Sequence, residues 1–86
     1  SYALMQNYPN PFSESTTISY QLPTTGYVTL IVFDMNGRAI ATLVNQEEDS
    51  GQKSVMFDAG GLPGGVYYYR LQSGNYVETR KLLLVH

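Results

Sequence analysis

The sequence has no cysteine, no tryptophan and a single histidine, and only 14% of its residues are charged. Without cysteine there is no disulfide framework, no thiolate metal site and no thiol nucleophile, and the redox compartment is left open. The one histidine, His86, is the last residue, where fraying leaves it unpositioned for proton transfer. Five basic residues stand against seven acidic ones, a net charge of −2, so no bulk field draws the chain to nucleic acid or anionic lipid. Long apolar runs are missing as well. The longest, Leu82-Leu83-Leu84-Val85, falls far short of the roughly 20 residues that cross a bilayer, so membrane insertion is not expected. No basic stretch followed by an apolar one opens the chain, so no signal peptide is read there. The expectation is a piece excised from a longer protein, with residues 1–3 as linker remnant and His86 as the parent's own C-terminus.

What is present is apolar and periodic. Hydrophobic residues make up 43% of 86 residues, enough for one core and one domain over 1–86. Apolar residues recur at every second position in short blocks and nowhere at helical spacing, which predicts strands and no helix. Thr16 to Leu22 carries Ile18, Tyr20 and Leu22 on one face; Tyr27 to Asp34 is apolar on both faces, as a central strand would be. Asp34-Met35-Asn36-Gly37 reverses the chain, because Asn-Gly tolerates positive φ. In the return strand, Arg38 to Asn45, the odd separation of Ile40 and Leu43 predicts a β-bulge near Ala41-Thr42. Gln46 to Gly51, with Glu47-Glu48-Asp49, reads as a solvated loop, and Gln52 to Asp58 as a strand pointing Val55 and Phe57 inward. The glycine-rich stretch Ala59 to Gly65 is a turn with Leu62 tucked into the core. Val66 to Gln72 and Tyr76 to Val85 form a last hairpin about Ser73-Gly74-Asn75. With a short strand near Leu4 to Tyr8, this is the pattern of an all-β, seven-stranded antiparallel immunoglobulin-like β-sandwich. Ile18, Tyr20, Leu22, Val28, Leu30, Val32, Ile40, Val55, Phe57, Tyr67, Tyr69 and Leu71 are its expected core.

Catalytic chemistry finds little to stand on. Serines and threonines fall mostly on outward strand faces or in turns, and no histidine or opposing carboxylate supports a nucleophile. Asp34 with Asn36, or Glu47 to Asp49, offers oxygens to a cation, but neither spacing is that of a calcium loop, so no metal or cofactor is assigned. Asp34 has a simpler use as a turn residue whose carboxylate accepts the N–H two positions on. Eight tyrosines raise the question of a sugar-stacking face. Neighbours on a strand point to opposite sides, so Tyr67 and Tyr69 read as core and only Tyr68, Tyr76 and Tyr27 remain outward. The five basic residues, scattered over different segments, form no nucleic-acid stripe.

The order of motifs is more specific than the pattern. Gln6-Asn7-Tyr8-Pro9-Asn10-Pro11-Phe12, Ser15-Thr16-Thr17-Ile18, Leu22-Pro23 and Gly26 are followed by Phe33-Asp34, Gly37-Arg38, Ala41-Thr42-Leu43 and Gly51. Phe57-Asp58-Ala59, Leu62-Pro63, Gly65-Val66-Tyr67, Tyr69-Arg70-Leu71 and Thr79-Arg80-Lys81 complete the series. From Leu4 to His86 this resembles the type A C-terminal sorting domain of type IX (Por) secretion system cargo, a family similar in fold to the immunoglobulin-like domain of flagellar hook-capping proteins. The resemblance implies a non-catalytic secretion signal. Its upstream cargo domain would pass as a periplasmic intermediate through the outer-membrane type IX translocon to the cell surface or medium, with the signal removed by a sortase-like peptidase near or before residue 1. Matching family positions make Asp34, Gly37, Arg38, Gly65, Tyr67, Arg70 and Lys81 the candidates for translocon recognition. Tyr8, Pro9, Asn10, Pro11 and Phe12 form the opening motif, with Pro9 and Pro11 setting a rigid, extended elbow and Asn10 capping its own turn. His86 departs from relatives that end in Lys or Arg; Lys81 is the nearest basic match. A monomer is expected. The alternatives are a structural spacer, or a carbohydrate- or protein-binding module of a surface enzyme.

Overall fold

The structure, a computed structural model, describes residues 1–86 and is all-β. Seven strands follow in order: β1 (Ala3–Leu4), β2 (Ser15–Leu22), β3 (Gly26–Phe33), β4 (Ala39–Glu48), β5 (Gly51–Asp58), β6 (Gly65–Ser73) and β7 (Tyr76–Leu84). They make two antiparallel sheets, one ordered β1-β2-β5 and the other β4-β3-β6-β7. One core lies between them, with Ile18, Tyr20 and Leu22 of β2 and Phe57 of β5 against Val28, Leu30 and Val32 of β3, Tyr67, Tyr69 and Leu71 of β6, and Leu82 and Leu84 of β7.

Strand alternation sets these faces, and ten of the twelve expected core residues are buried. Ile40 and Val55 are only half-buried. Both stand on edge strands, β4 and β5, where one flank of an inward side chain is left uncovered. The expected bulge is two bulges: register shifts fall between Leu30 and Ile31 and between Val32 and Phe33, so Leu43 and Ile40 are each left without a partner on β3. They bracket Ala41 and Thr42.

The acid run is not a loop. Glu47 and Glu48 belong to β4, paired with Tyr27 and Gly26, and the connection is only Asp49-Ser50. That connection is a corner between sheets, since β4 and β5 lie in different ones, and Gly51 turns it with φ 125°. The Tyr20 hydroxyl donates to Glu48 Oε1 at 2.6 Å, tying one sheet to the other beside the corner.

The N-terminal segment departs most from expectation. Instead of a strand over Leu4 to Tyr8 there is a two-residue β1, and Tyr8 makes an isolated bridge to Thr17. Tyr2 and Ala3, in the stretch expected as linker, stack on Tyr76 at 4.7 Å and pair with Gln21. Residues 9–11 are bends with both X-Pro bonds cis, not an extended elbow. Phe12 then pairs in parallel with Leu84, so the segment begins on one sheet and ends on the edge of the other.

Candidate functional site

The candidate positions fall into three neighbourhoods. The first is the β3–β4 turn. Asp34 Oδ1 accepts the N–H of Asn36 at 2.9 Å and of Arg38 at 3.0 Å, while Asp34 Oδ2 meets Arg38 Nε at 3.2 Å. The Arg38 N–H foremost, with that of Asn36 and the Arg38 charge, holds the Asp34 carboxyl below the usual carboxylate range. Gly37 closes the turn at φ 82°, a left-handed conformation costly to side chains. Arg38 projects into solvent, its side chain 78% exposed.

Against this turn lies the β5–β6 connection. Asp34, Met35 and Asn36 face Pro63, Gly64, Gly65, Val66 and Tyr67 across a shallow cleft of ≈ 200 Å³. Sequence reading did not anticipate that Asp34 and Gly65 meet there, because the two turns are joined only through the pairing of β3 with β6. Tyr67 contributes from beneath: its ring is in the core and its hydroxyl donates to Pro63 O at 2.6 Å. Of the recognition candidates it is one with little surface of its own, 6% exposed.

The second neighbourhood is the outer face of the four-stranded sheet. With Tyr67, Tyr69 and Leu71 buried, Val66, Tyr68, Arg70 and Gln72 point away from the core. Arg70 lies over the Phe33 ring, 4.5 Å from its centroid, and Lys81 is opposite Tyr68. Tyr27 also faces outward and bonds Asn45 at 2.7 Å. Tyr76, expected outward, instead has the inward parity of β7. It stacks on Tyr2 and donates to Glu78, and burial first, then that carboxylate, pushes its phenol up to about 12. The three tyrosines thus form no row. A cleft of ≈ 320 Å³ beside Tyr27, Thr29 and Gln72 holds no ionisable group other than Tyr27.

The third is the opening motif, where sequence reading missed the central residue. Asn7 is 2% exposed. Its Nδ2 donates to Thr16 Oγ1 at 3.0 Å and to Pro9 O at 3.2 Å, Thr16 Oγ1 donates to the same Pro9 O at 2.7 Å, and Asn7 N donates to the Tyr69 hydroxyl at 2.8 Å. That hydroxyl in turn donates to Met5 O at 2.7 Å. Burial raises the Tyr69 pKa, which keeps it a donor. Asn10 does not cap its own turn; its Oδ1 accepts Leu83 N–H at 2.9 Å. Gln6 Nε2 donates to Lys81 O at 2.7 Å, Phe12 N to Leu83 O at 3.0 Å, and Val85 N to Phe12 O at 2.8 Å. The segment seals the open edge of β7. Tyr8 is left 81% exposed on the outside.

No three His, Asp or Glu side chains converge as a metal would need, and the two clefts carry no nucleophile beside a base. Fold and surface together define a small two-sheet β module whose distinguishing parts are a sealed N-terminal segment and exposed turns. The chain belongs to the secretion system C-terminal sorting domain family, whose sequence model matches residues 6–85. No curated protein matches it. The domain is thus a C-terminal secretion signal of the type IX system: it interacts with that machinery and directs export across the outer membrane toward the surface or medium.

Proposed function

We propose that this domain is a non-catalytic, monomeric address label of immunoglobulin-like topology. It holds an upstream cargo domain as a periplasmic intermediate, presents it to the outer-membrane translocon, and is separated from it by a sortase-like peptidase. The carrying observation is that the family match, 6–85, takes in β2 to β7 together with the Gln6-to-Phe12 segment bonded along β7, all of the folded unit but β1. A translocon serving unrelated folded cargos needs one common surface, and a compact module with braced turns offers it at little ordering cost on binding. Of the matched positions, Arg38 presents charge beside the β3–β4 turn and Arg70 and Lys81 on the face of the four-stranded sheet, whereas Asp34, Gly37 and Gly65 shape turns.

The test is a fusion of residues 1–86 behind a Sec-exported reporter in a host with a type IX system. The reporter should reach the surface or medium. A fusion that stays folded and intact in the periplasm while a native cargo is exported would leave the domain a structural spacer.

A further inference from the structure

The outer faces of the two sheets differ in chemistry. That of the three-stranded sheet carries the hydroxyls and amides of Thr17, Ser19, Gln21, Gln52 and Ser54, with Met56 and, at its end, Asp58, but no cation. That of the four-stranded sheet carries Phe33, Ile31 and Tyr68, all half-buried, around Arg70 and Lys81. Arg70 is opposite Thr79 and Lys81 opposite Tyr68, so the two cations are diagonal neighbours on adjacent strands, roughly 7–8 Å apart at the backbone.

Adjacency without a partner sets them apart. Arg38 has Asp34 at 3.2 Å and Arg80 has Glu78 at 3.5 Å; Arg70, Lys81 and Lys53 pair with no carboxylate, and of these three only Arg70 and Lys81 are neighbours on one face. Arg70 rests its guanidinium on an aromatic ring, which orients the planar fork and leaves its N–H groups free. Two like charges held side by side repel each other, and an incoming anion relieves that repulsion.

We infer that this face, centred on Arg70, Lys81, Phe33 and Tyr68, is the docking surface for the secretion machinery, and that its partner is a protein surface presenting carboxylates beside apolar side chains. The inference rests on the sorting role and assigns it a place and a chemistry. A rigid guanidinium beside half-buried aromatics matches the Arg- and Tyr-rich composition of interface centres. A lipid surface fits poorly, since headgroup recognition draws on clusters of about 4–8 basic residues, and this face has two within a chain of net charge −2.

The reporter fusion tests it with variants matched in charge change. Arg70→Gln with Lys81→Gln should lower the secreted fraction by about tenfold or more. Thr17→Glu with Gln52→Glu, the same net change on the other sheet, should secrete as wild type, while Arg70→Lys, which keeps the charge but loses the planar fork over Phe33, should fall between wild type and the double Gln variant. Melting curves of the purified domains run alongside; if the double Gln variant is unfolded at growth temperature, Lys81→Gln alone, a surface change, decides by the same readout. Wild-type secretion by the Gln variant overturns the inference and leaves sorting intact. Retention of the wild-type fusion itself overturns sorting. Co-sedimentation with vesicles of phosphatidylethanolamine and phosphatidylglycerol, lost in the Gln variant, would replace the protein partner with a lipid one.

Discussion

At Gly37 a single dihedral decides what the turn tolerates. A Cβ there meets no atom within 4 Å, so space is not the constraint; φ of 82° is. Gly37→Val should cost about 1–3 kcal/mol through backbone strain alone, read as a lower urea midpoint, and an unchanged midpoint would refute it. Tyr20 gives a pH-dependent counterpart. Burial first, then the hydrogen bond and charge of Glu48, raise its pKa well above that of a free tyrosine. The folded state therefore keeps a proton that the unfolded state releases above about pH 10. The stability this contributes is fully present below that pH and is lost as pH rises. Tyr20→Phe should lower the neutral-pH plateau by about 1–3 kcal/mol for the lost bond to a charged acceptor, yet make the alkaline decline shallower. Urea midpoints across the alkaline range would show it, and equal slopes for the two proteins would contradict it. At this scale the sequence was readable further than its polar residues suggested. Thr16 continues the inward series Ile18, Tyr20, Leu22, and Ser73 the series Tyr67, Tyr69, Leu71, so period 2 alone marks both as buried. Asn7 had no such marker, because its partners, Thr16 and Tyr69, meet it only in three dimensions.

Among the elements, alternation identified β2, β3, β5, β6 and β7 because each turns one face to the core, buried along most of β2, β3 and β6 and only in part along the edge strands β5 and β7. It misread β4, where two bulges reset the parity and the Glu47-Glu48 end lies on an exposed edge, so polarity there mimicked a loop. It misread the opening segment for a different reason. That segment is held by side chains bonding to β7's backbone, which leaves no periodic trace. Sheet edges left open invite foreign strands, and β7 is covered by Gln6, Asn10 and Phe12. The Asn10 contact is the one to probe, since it bonds a main-chain amide through an exposed side chain. Asn10→Ala should speed hydrogen exchange at Leu83 N–H while Val85 N–H, bonded to the Phe12 main chain, stays protected. Global stability should fall by no more than about 1 kcal/mol, because water replaces the lost acceptor. Equal exchange at Leu83 in both proteins would mean the side chain is not what covers it.

Across the whole molecule, the two ends of the chain are one structural feature. Phe12 pairs with Leu84, Arg80 Nε donates to Leu4 O at 2.6 Å, and Gln6 reaches Lys81, contacts that span more than 70 residues of sequence. Anything that removes the end of β7 therefore also releases the opening segment and uncovers Phe12, which is 2% exposed. Deleting residues 82–86 takes away Leu82 and Leu84, both essentially fully buried. Loss of a buried leucine side chain costs about 2–5 kcal/mol, so the two together reach about 4–10 kcal/mol. That approaches the entire stability of a domain this size, about 4–13 kcal/mol at 0.05–0.15 per residue. The truncated domain should therefore lose its cooperative thermal transition altogether, measured by near-ultraviolet circular dichroism of its tyrosines. A fusion carrying that truncation should fail to be secreted because the domain is unfolded, and the failure alone would say nothing of a signal in the last residues. Replacing only Lys81, exposed on β7, keeps the core and separates the two causes. A truncated domain that still melted cooperatively near the wild-type temperature would show that the ends are not coupled as these contacts require.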